Sequence, residues 1–407
     1  MVRSLTRPLP VALLIGLIAE ALFLVRLSVP HRLVFDETHY VPAARALLAL
    51  SHPTNIEHPL LAKSLIAAGI ALFGDTPFGW RVMSTLAATA VVVGTFAILH
   101  QLYAHVRTSA FGAVLTLLTF TVYVQARIAM LDGFMTAFVV IGGALWLRAM
   151  RRGGWRSFLA SAACFGLAVG CKWTALPYAG LAGLVFLWLK REGRHFARIP
   201  LLPGALAFGM VAAAVYFVTF LPAFFYAQEP LTLARLLPFQ LEMYGRQTQV
   251  LPPHVYQSRW YTWPFDIRPI WYLYEHADGA QRGILLIGNP AILWGGLVAV
   301  VACGWAWTDD GDRRPLAIAL LWVFSLAIWA VIPKSLGFFY YYYPSTIWLC
   351  LALAAAFHHW RARARHWDEA FLAAAFVLFL YFFPILSAQA LPSPESFHRW
   401  TWFDSWV

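Results

Sequence analysis

The sequence predicts an all-α protein that crosses a membrane many times, and three observations carry that reading. Of its 407 residues, 61% are hydrophobic and only 12% charged, against roughly a quarter charged in ordinary soluble domains. Apolar stretches of about twenty residues recur along the chain, the length at which a helix crosses the hydrocarbon core. Basic residues gather between those stretches in short clusters: Arg148, Arg151, Arg152 and Arg156; Lys190, Arg191, Arg194 and Arg198; Arg361, Arg363 and Arg365. That is the positive-inside bias of cytoplasmic loops. The net charge of +11 therefore points to membrane topology and not to a nucleic-acid partner.

About eleven spans are expected, near 10–29, 82–103, 109–126, 131–149, 157–173, 174–189, 203–226, 284–307, 314–333, 338–357 and 369–388. Arg3 and Arg7 precede the first. Arg26, Ser28, Val29, Pro30 and His31 close it, where a cleaved signal peptide would end in small residues, so it reads as an uncleaved anchor with the N-terminus inside. On that start all three basic clusters fall on the cytoplasmic side. An odd count leaves the tail, with Pro392 and Pro394, outside.

Two outside loops are long, 30–81 and 227–283, while the cytoplasmic ones are mere connectors. Residues 1–407 read as one membrane domain whose chemistry lies on the outer face. In the first loop, Leu60 to Phe73 follows Pro59, a favourable first helical position. The run is apolar but too short to span, which predicts a helix lying in the interface or re-entering. The second loop is rich in Trp260, Tyr261, Trp263, Pro264, Trp271 and Tyr272, suited to stacking on a sugar or to interfacial anchoring. Gly288-Asn289-Pro290 reads as the start of the eighth span. Cys164, Cys171, Cys303 and Cys350 all fall in apolar spans, with neither a disulfide framework nor zinc spacing among them.

The first outer loop opens with Phe35-Asp36-Glu37-Thr38-His39-Tyr40 and continues with His58, Lys63 and Arg81. A carboxylate beside an apolar interface holds its proton more tightly unless a cation is near, which is the tuning a general base needs. The plain alternative is a solvated acid pair or a helix cap. Arg127 and Asp132 bracket the outer turn between spans three and four. Ionisable groups so close to hydrocarbon are functional candidates by default, and the alternative is a mutual ion pair that fixes the turn. Lys172, at the outer end of span five, has no acidic neighbour in sequence. It either snorkels to the interface or meets a phosphate. Tyr340 to Tyr343 and Pro344 open span ten, where an aromatic belt accounts for part of the run, and Lys334 just before adds a cation.

Taken together these pieces resemble the protein O-mannosyltransferases, polyprenyl-phosphate-dependent glycosyltransferases of the membrane GT-C fold. Phe35, Asp36, Glu37, His39 and Tyr40 match the family's first-loop motif, and His58, Pro59 and Lys63 its His-Pro-x-x-x-Lys element. Trp80-Arg81, the Arg127-to-Asp132 turn, Lys172-Trp173, Gly288 to Pro290 and Tyr341 to Pro344 match the later elements in order. Eukaryotic members carry a large lectin-like insertion in the second long loop. This chain has under sixty residues there and is similar to compact bacterial members.

The resemblance implies a polyprenyl-phosphate-linked hexose, most simply mannose, as donor and a Ser/Thr hydroxyl of a secreted or membrane protein as acceptor, with inversion. It implies Asp36 as base with Glu37 holding the acceptor or orienting the loop. Lys172, Arg127, Arg81 and Tyr342 would then serve the donor's phosphate and sugar, and His39, His58, Lys63 and Asp132 the acceptor or the loop. No cofactor is expected, and nothing in the sequence indicates a divalent cation at the Asp-Glu motif. The expected location is the plasma (inner) membrane, with the site periplasmic. Two other readings stand beside it: the same fold acting on a glycolipid or polysaccharide, as in aminoarabinose transferases, and a lipid or sugar transporter. The transporter reading suffers from the lack of inverted-repeat symmetry and of charges near span centres.

Overall fold

A computed structural model describes residues 7–193, 195–363 and 366–407. Arg3, Arg194 and Arg365, named above among the basic flanks, lie outside the described residues. The chain forms helices α1 (Pro8–Leu24), α2 (Glu37–Leu48), α3 (Leu61–Phe73), α4 (Pro77–Tyr103), α5 (Val106–Leu118) and α6 (Phe120–Ala126). It continues through α7 (Leu131–Arg152), α8 (Trp155–Cys171), α9 (Leu176–Arg191), α10 (Leu201–Val218) and α11 (Leu236–Thr248). A hairpin follows, β1 (Ile270–Ala277) and β2 (Ala280–Leu286), then α12 (Pro290–Asp310), α13 (Arg313–Ala327), α14 (Tyr343–His359) and α15 (Trp367–Leu386).

Among the described residues six helices are long and apolar enough to cross a membrane, or seven if α5 and α6, bent by 62° at Thr119, count as one. Every expected span holds a helix, but α1, α8, α9 and α14, of 16 or 17 residues, are shorter than a bilayer crossing needs by length alone. α14 is buried all round from Tyr343 to Ala356, as a helix apolar on every face must be. It packs between α12, α13 and α5.

Local chemistry sets the ends. Thr76 caps α4 by accepting from Gly79 N, with Pro77 in the first turn. Asn289 caps α12 by accepting from Ala291 N, again with proline following. Its amide also donates to Leu118 O at the end of α5 and to Ala375 O of α15. The expected helix start at Gly288-Asn289-Pro290 is therefore also a joint between three helices.

The hairpin corrects the all-α expectation. Asp278 and Gly279 form its two-residue turn, both with positive φ (49° and 73°), the conformation that matches the twist of the flanking strands. The strands pair antiparallel from Ile270↔Leu286 to Ala277↔Ala280. Residues 284–286, expected to begin span eight, belong to β2, and the helix starts at Pro290.

Around this hairpin both long loops and the tail join into one layer at one end of the bundle. From the first loop, His31 N donates to Asp278 Oδ2 (2.9 Å), and Phe35 stacks on Tyr272 with ring centroids 4.3 Å apart. From the tail, Leu391 N donates to Gln281 O (2.8 Å), and Trp406 Nε1 donates to Asp266 O (2.7 Å). The loop after α11 is pinned at both ends, through Ser335 Oγ to Gln249 O (3.1 Å) and Ser258 N to Gly337 O (2.8 Å). Val250 and Val255 between those pins are exposed.

Candidate active site

The site grows from α2 and the turns that meet it. Glu37, in the first turn of α2, is wholly buried and clasps the guanidinium of Arg81 on α4 in a two-point pair, 2.8 Å on each arm. Glu37 also accepts from Val34 N and Ala129 N, each at 2.9 Å. Arg81 gives its remaining N–H groups to Leu27 O, Pro30 O and Arg32 O. All five of its donors are thereby used. The pair locks the end of the first helix, the Asp-Glu turn and the 127–130 turn to α4. Arg81, expected to serve a phosphate, spends its donors on Glu37 and three carbonyls in this geometry, and the Glu37 carboxylate is wholly buried against it.

Asp36 looks the other way. Its carboxyl is recessed beside an open cleft of about 180 Å³ and accepts from Tyr40 Oη at 3.3 Å. Burial raises its pKa from 3.8 to about 6, against the opposing pull of Lys172 and His39. It remains a carboxylate at neutral pH, with more proton affinity than a solvated acid. His39, Tyr40 and His58 share the cleft wall, and His58 meets the Tyr40 ring edge-on at 6.0 Å. Lys63 is buried behind it and donates to Asn55 O (2.7 Å) and His58 O (2.8 Å), stapling that turn. Burial lowers its pKa to about 7.

Lys172 finds its partner far along the chain. Its Nζ lies 2.9 and 2.8 Å from the two oxygens of Asp132, and both side chains are buried. The alternative of a mutual pair between Arg127 and Asp132 does not form. Arg127 instead donates to the carbonyls of Phe23, Val25 and Arg26 at the end of α1 and lies over the Tyr123 ring. Nor does Lys172 snorkel, the alternative for it: the rings of Tyr340 and Tyr341 cover its ammonium at 5.0 and 4.9 Å.

Tyr340 and Tyr341 line the cleft, but Tyr342 does not. The 3₁₀ turn Phe339–Tyr342 rotates it into the core, where its hydroxyl accepts from Trp322 Nε1 at 2.9 Å. The tyrosine expected to serve the donor thus lies outside the cleft that Tyr340 and Tyr341 line. Sequence reasoning singled out neither Arg246 nor Gln247 of α11, nor Asn55 and Glu57, all of which line the cleft. Among the described residues no group of three or more His, Cys, Asp or Glu side chains is arranged to hold a metal ion.

Residues 57–221 match the family model described as dolichyl-phosphate-mannose-protein mannosyltransferase, and residues 232–406 that of the C-terminal four-TMM region of protein O-mannosyltransferase. The chain belongs to the protein O-mannosyltransferase family. Its Asp36–His39 motif precedes both matched segments. Among relatives, the polyprenol-phosphate-mannose–protein mannosyltransferase of Mycobacterium tuberculosis is 26% identical, over 75% of this chain and 72% of the relative. That of Corynebacterium glutamicum is 25% identical, over 92% and 88%. The solved Saccharomyces cerevisiae Pmt1-Pmt2 complex bound to the sugar donor superposes with a TM-score of 0.79 at 14% identity, over 98% of this chain and 92% of that one. ArnT from Cupriavidus metallidurans bound to undecaprenyl phosphate gives 0.60 at 18%, over 91% and 64%. The mostly helical GT-C architecture is thus shared with this mannosyltransferase family member, and the chain is a multi-pass membrane protein.

Proposed function

We propose that this chain moves a mannose from a polyprenyl-phosphate donor to a Ser or Thr hydroxyl of a secreted or membrane protein, with inversion. The relatives' activity, in their names, is protein mannosylation from polyprenol-phosphate-mannose, and family membership sets the transporter reading aside. One observation supports the chemistry: Asp36 is the carboxylate recessed at the cleft with its pKa lifted to about 6, near the value at which a base is both ionised and strong enough.

In the proposed step Asp36 takes the hydroxyl proton as the acceptor oxygen attacks the anomeric carbon. The bond from that carbon to the phosphate oxygen breaks, and its electron pair leaves with the phosphate. No general acid is required, because the phosphate departs already ionised. Glu37 with Arg81 keeps the loop in register, and Lys172 with Asp132 sets the field behind Asp36. The proposal includes no metal or organic cofactor.

The proposed topology has about eleven crossings, the N-terminus in the cytoplasm, and both long loops and the tail outside as part of a single membrane domain. Thr38→Cys and Gln257→Cys should react with an impermeant thiol reagent from outside, and Gly154→Cys should not. Labelling at Gly154 in intact cells would invert the topology. Activity is tested with purified protein in nanodiscs, a radiolabelled polyprenyl-phosphate mannose, and peptide and glycolipid acceptors side by side. Label in the peptide is expected. Label only in the glycolipid would favour the glycolipid-acceptor alternative, and no release of polyprenyl phosphate would end the transferase reading.

A further inference from the structure

Two guanidinium groups converge on one carbonyl oxygen just beyond α15. Arg26, past the end of α1, donates from Nη2 to Ala388 O at 3.0 Å, and Arg282 of β2 donates from Nη1 to the same atom at 2.8 Å. Ala388 holds that oxygen in place from the left-handed region, at φ 54°, a conformation that is costly for a residue with a Cβ. Arg127 stands close by on the carbonyls at the end of α1, within electrostatic range of Arg26. Like charges gathered in one place repel, and burial strengthens the repulsion.

Nothing among the described residues answers that charge. None of Arg26, Arg127 and Arg282 has a carboxylate within ion-pair distance. Asp278, in the hairpin turn, accepts from His31 and acts on Arg282 only from farther off. The ends of α1 and α15 supply about half a negative charge each, which leaves the cluster positive. Arg127 and Arg282 are buried, at 5% and 9% exposure, where a charge without a counter-charge is costly. Ser387, next to Ala388, is buried as well, and its hydroxyl has no partner. Arg26 is exposed, with Nε and Nη1 unused among the described residues.

The place is a seam that opens to lipid. α1 and α15 both pack on α5, and Tyr123 of α6 touches Phe23 of the one and Phe379 and Phe383 of the other. Leu17, Leu24 and Val25 along α1 and its end are exposed, as are Val377 and Leu380 on α15. Arg26 and Ala388 each follow the last turn of an apolar helix, the depth at which lipid headgroups lie. Cations at that depth above apolar flanks suit an anion that carries hydrocarbon. Neither arginine of the convergent pair lines the cleft beside Asp36.

We propose that Arg26 and Arg282, with Ser387, hold the phosphate of an anionic glycerophospholipid whose chains lie along the α1–α15 seam. The phosphate offsets the crowded cations and accepts from the unused N–H groups of Arg26. It also fastens the end of α1 to the hairpin and the tail, the layer from which the active site is built. The lipid is a structural ligand and takes no part in transfer, so the inference stands apart from the transferase reading and is tested without turnover. Inorganic phosphate offers the same oxygens without the chains, and the experiment separates the two.

The purified chain is placed in nanodiscs of phosphatidylcholine with or without phosphatidylglycerol and read by thermal midpoint, and native mass spectrometry counts the lipid retained after detergent extraction. The parent should melt higher with phosphatidylglycerol and retain that lipid. Inorganic phosphate added to the phosphatidylcholine discs should give no shift. Arg26→Gln and Arg282→Gln should each lower retention about tenfold, the scale of a lost charge-assisted hydrogen bond, and flatten the melting response to phosphatidylglycerol. Arg26→Lys should keep part of both, because a point charge replaces a planar fork. Arg156→Gln, in the first turn of α8 at the opposite end of the bundle, should behave as the parent does. Arg282 also ties the hairpin turn, so the response to lipid is the readout rather than the absolute midpoint, and the exposed Arg26 carries the comparison should Arg282→Gln fail to fold. A parent indifferent to phosphatidylglycerol would overturn the site, as would a response that survives in Arg26→Gln or falls equally in Arg156→Gln. An equal shift with inorganic phosphate would overturn the lipid assignment.

Discussion

Lys172 and Asp132, forty residues apart, form a buried two-point ion pair whose ammonium lies beneath the rings of Tyr340 and Tyr341. Removing one partner strands the other charge, at about 3–5 kcal/mol. Lys172→Met and Asp132→Leu should each lower the thermal midpoint in detergent, and the double variant should regain part of the loss. Lys172→Met has a second signature. The ammonium holds the Asp36 pKa down, so the acid limb of the rate profile should move to higher pH. A midpoint equal to the parent's would deny the pair its structural role.

Asp36→Asn keeps the shape of the side chain and removes its proton affinity. General-base catalysis contributes on the order of 10²–10⁴ in rate, so turnover should fall at least about a hundredfold with donor binding near normal. In the parent, a carboxyl raised from 3.8 to about 6 is ionised above that pH and protonated below it. Activity should therefore hold at neutral pH and drop as the pH falls through about 6. Turnover of Asp36→Asn within a few-fold of the parent would leave the motif as loop architecture.

Glu37 and Arg81 should respond differently from their neighbour. Glu37→Gln weakens a pair that ties three segments together, and Arg81→Lys cannot replace five directed donors with three. Both should reduce folded yield and thermal stability by an amount on the scale of about 3–5 kcal/mol, read by size-exclusion profile and melting. A well-folded Glu37→Gln that has lost only acceptor affinity would restore the acceptor-holding role.

Tyr342→Phe should cost about 1 kcal/mol, the worth of its bond from Trp322, and leave turnover near the parent's. Tyr341→Ala strips one wall of the cleft and one ring from Lys172, and its donor kinetics should suffer. A large kinetic defect in Tyr342→Phe would return that residue to the site.

Much of the helical frame was legible because long apolar runs between basic clusters have few alternatives. The hairpin was legible too, and overlooked: Asp278-Gly279 is the strongest short-range hairpin signal, but it sits in the long loop 227–283, and the end of β2 runs into residues given to span eight. Adjacency misled at Asp132. The Gly153-Gly154 turn folds α8 back along α7, so the start of one meets the end of the other, and Asp132 faces Lys172 across the pair. Arg127, five residues away, sits after the bend in α5–α6 and turns toward α1 instead. Lys334 was legible only as a cation before span ten, and Arg246 not at all, since the cleft joins segments up to three hundred residues apart.

The pinned loop after α11 has a bearing on how such enzymes acquire new clients. Its ends are held close together by Ser335 and Gly337, while the side chains of Val250 and Val255 at the tip are exposed. A segment with neighbouring ends and an exposed tip accepts foreign sequence at lower cost than a packed one. Gln249 and Leu251 on its first limb already border the recess. A recognition module grafted at the tip would hang over the point where sugar is delivered and would change which polypeptides arrive there without touching the residues that act on them. Selection of substrate and chemistry could then evolve as separable parts.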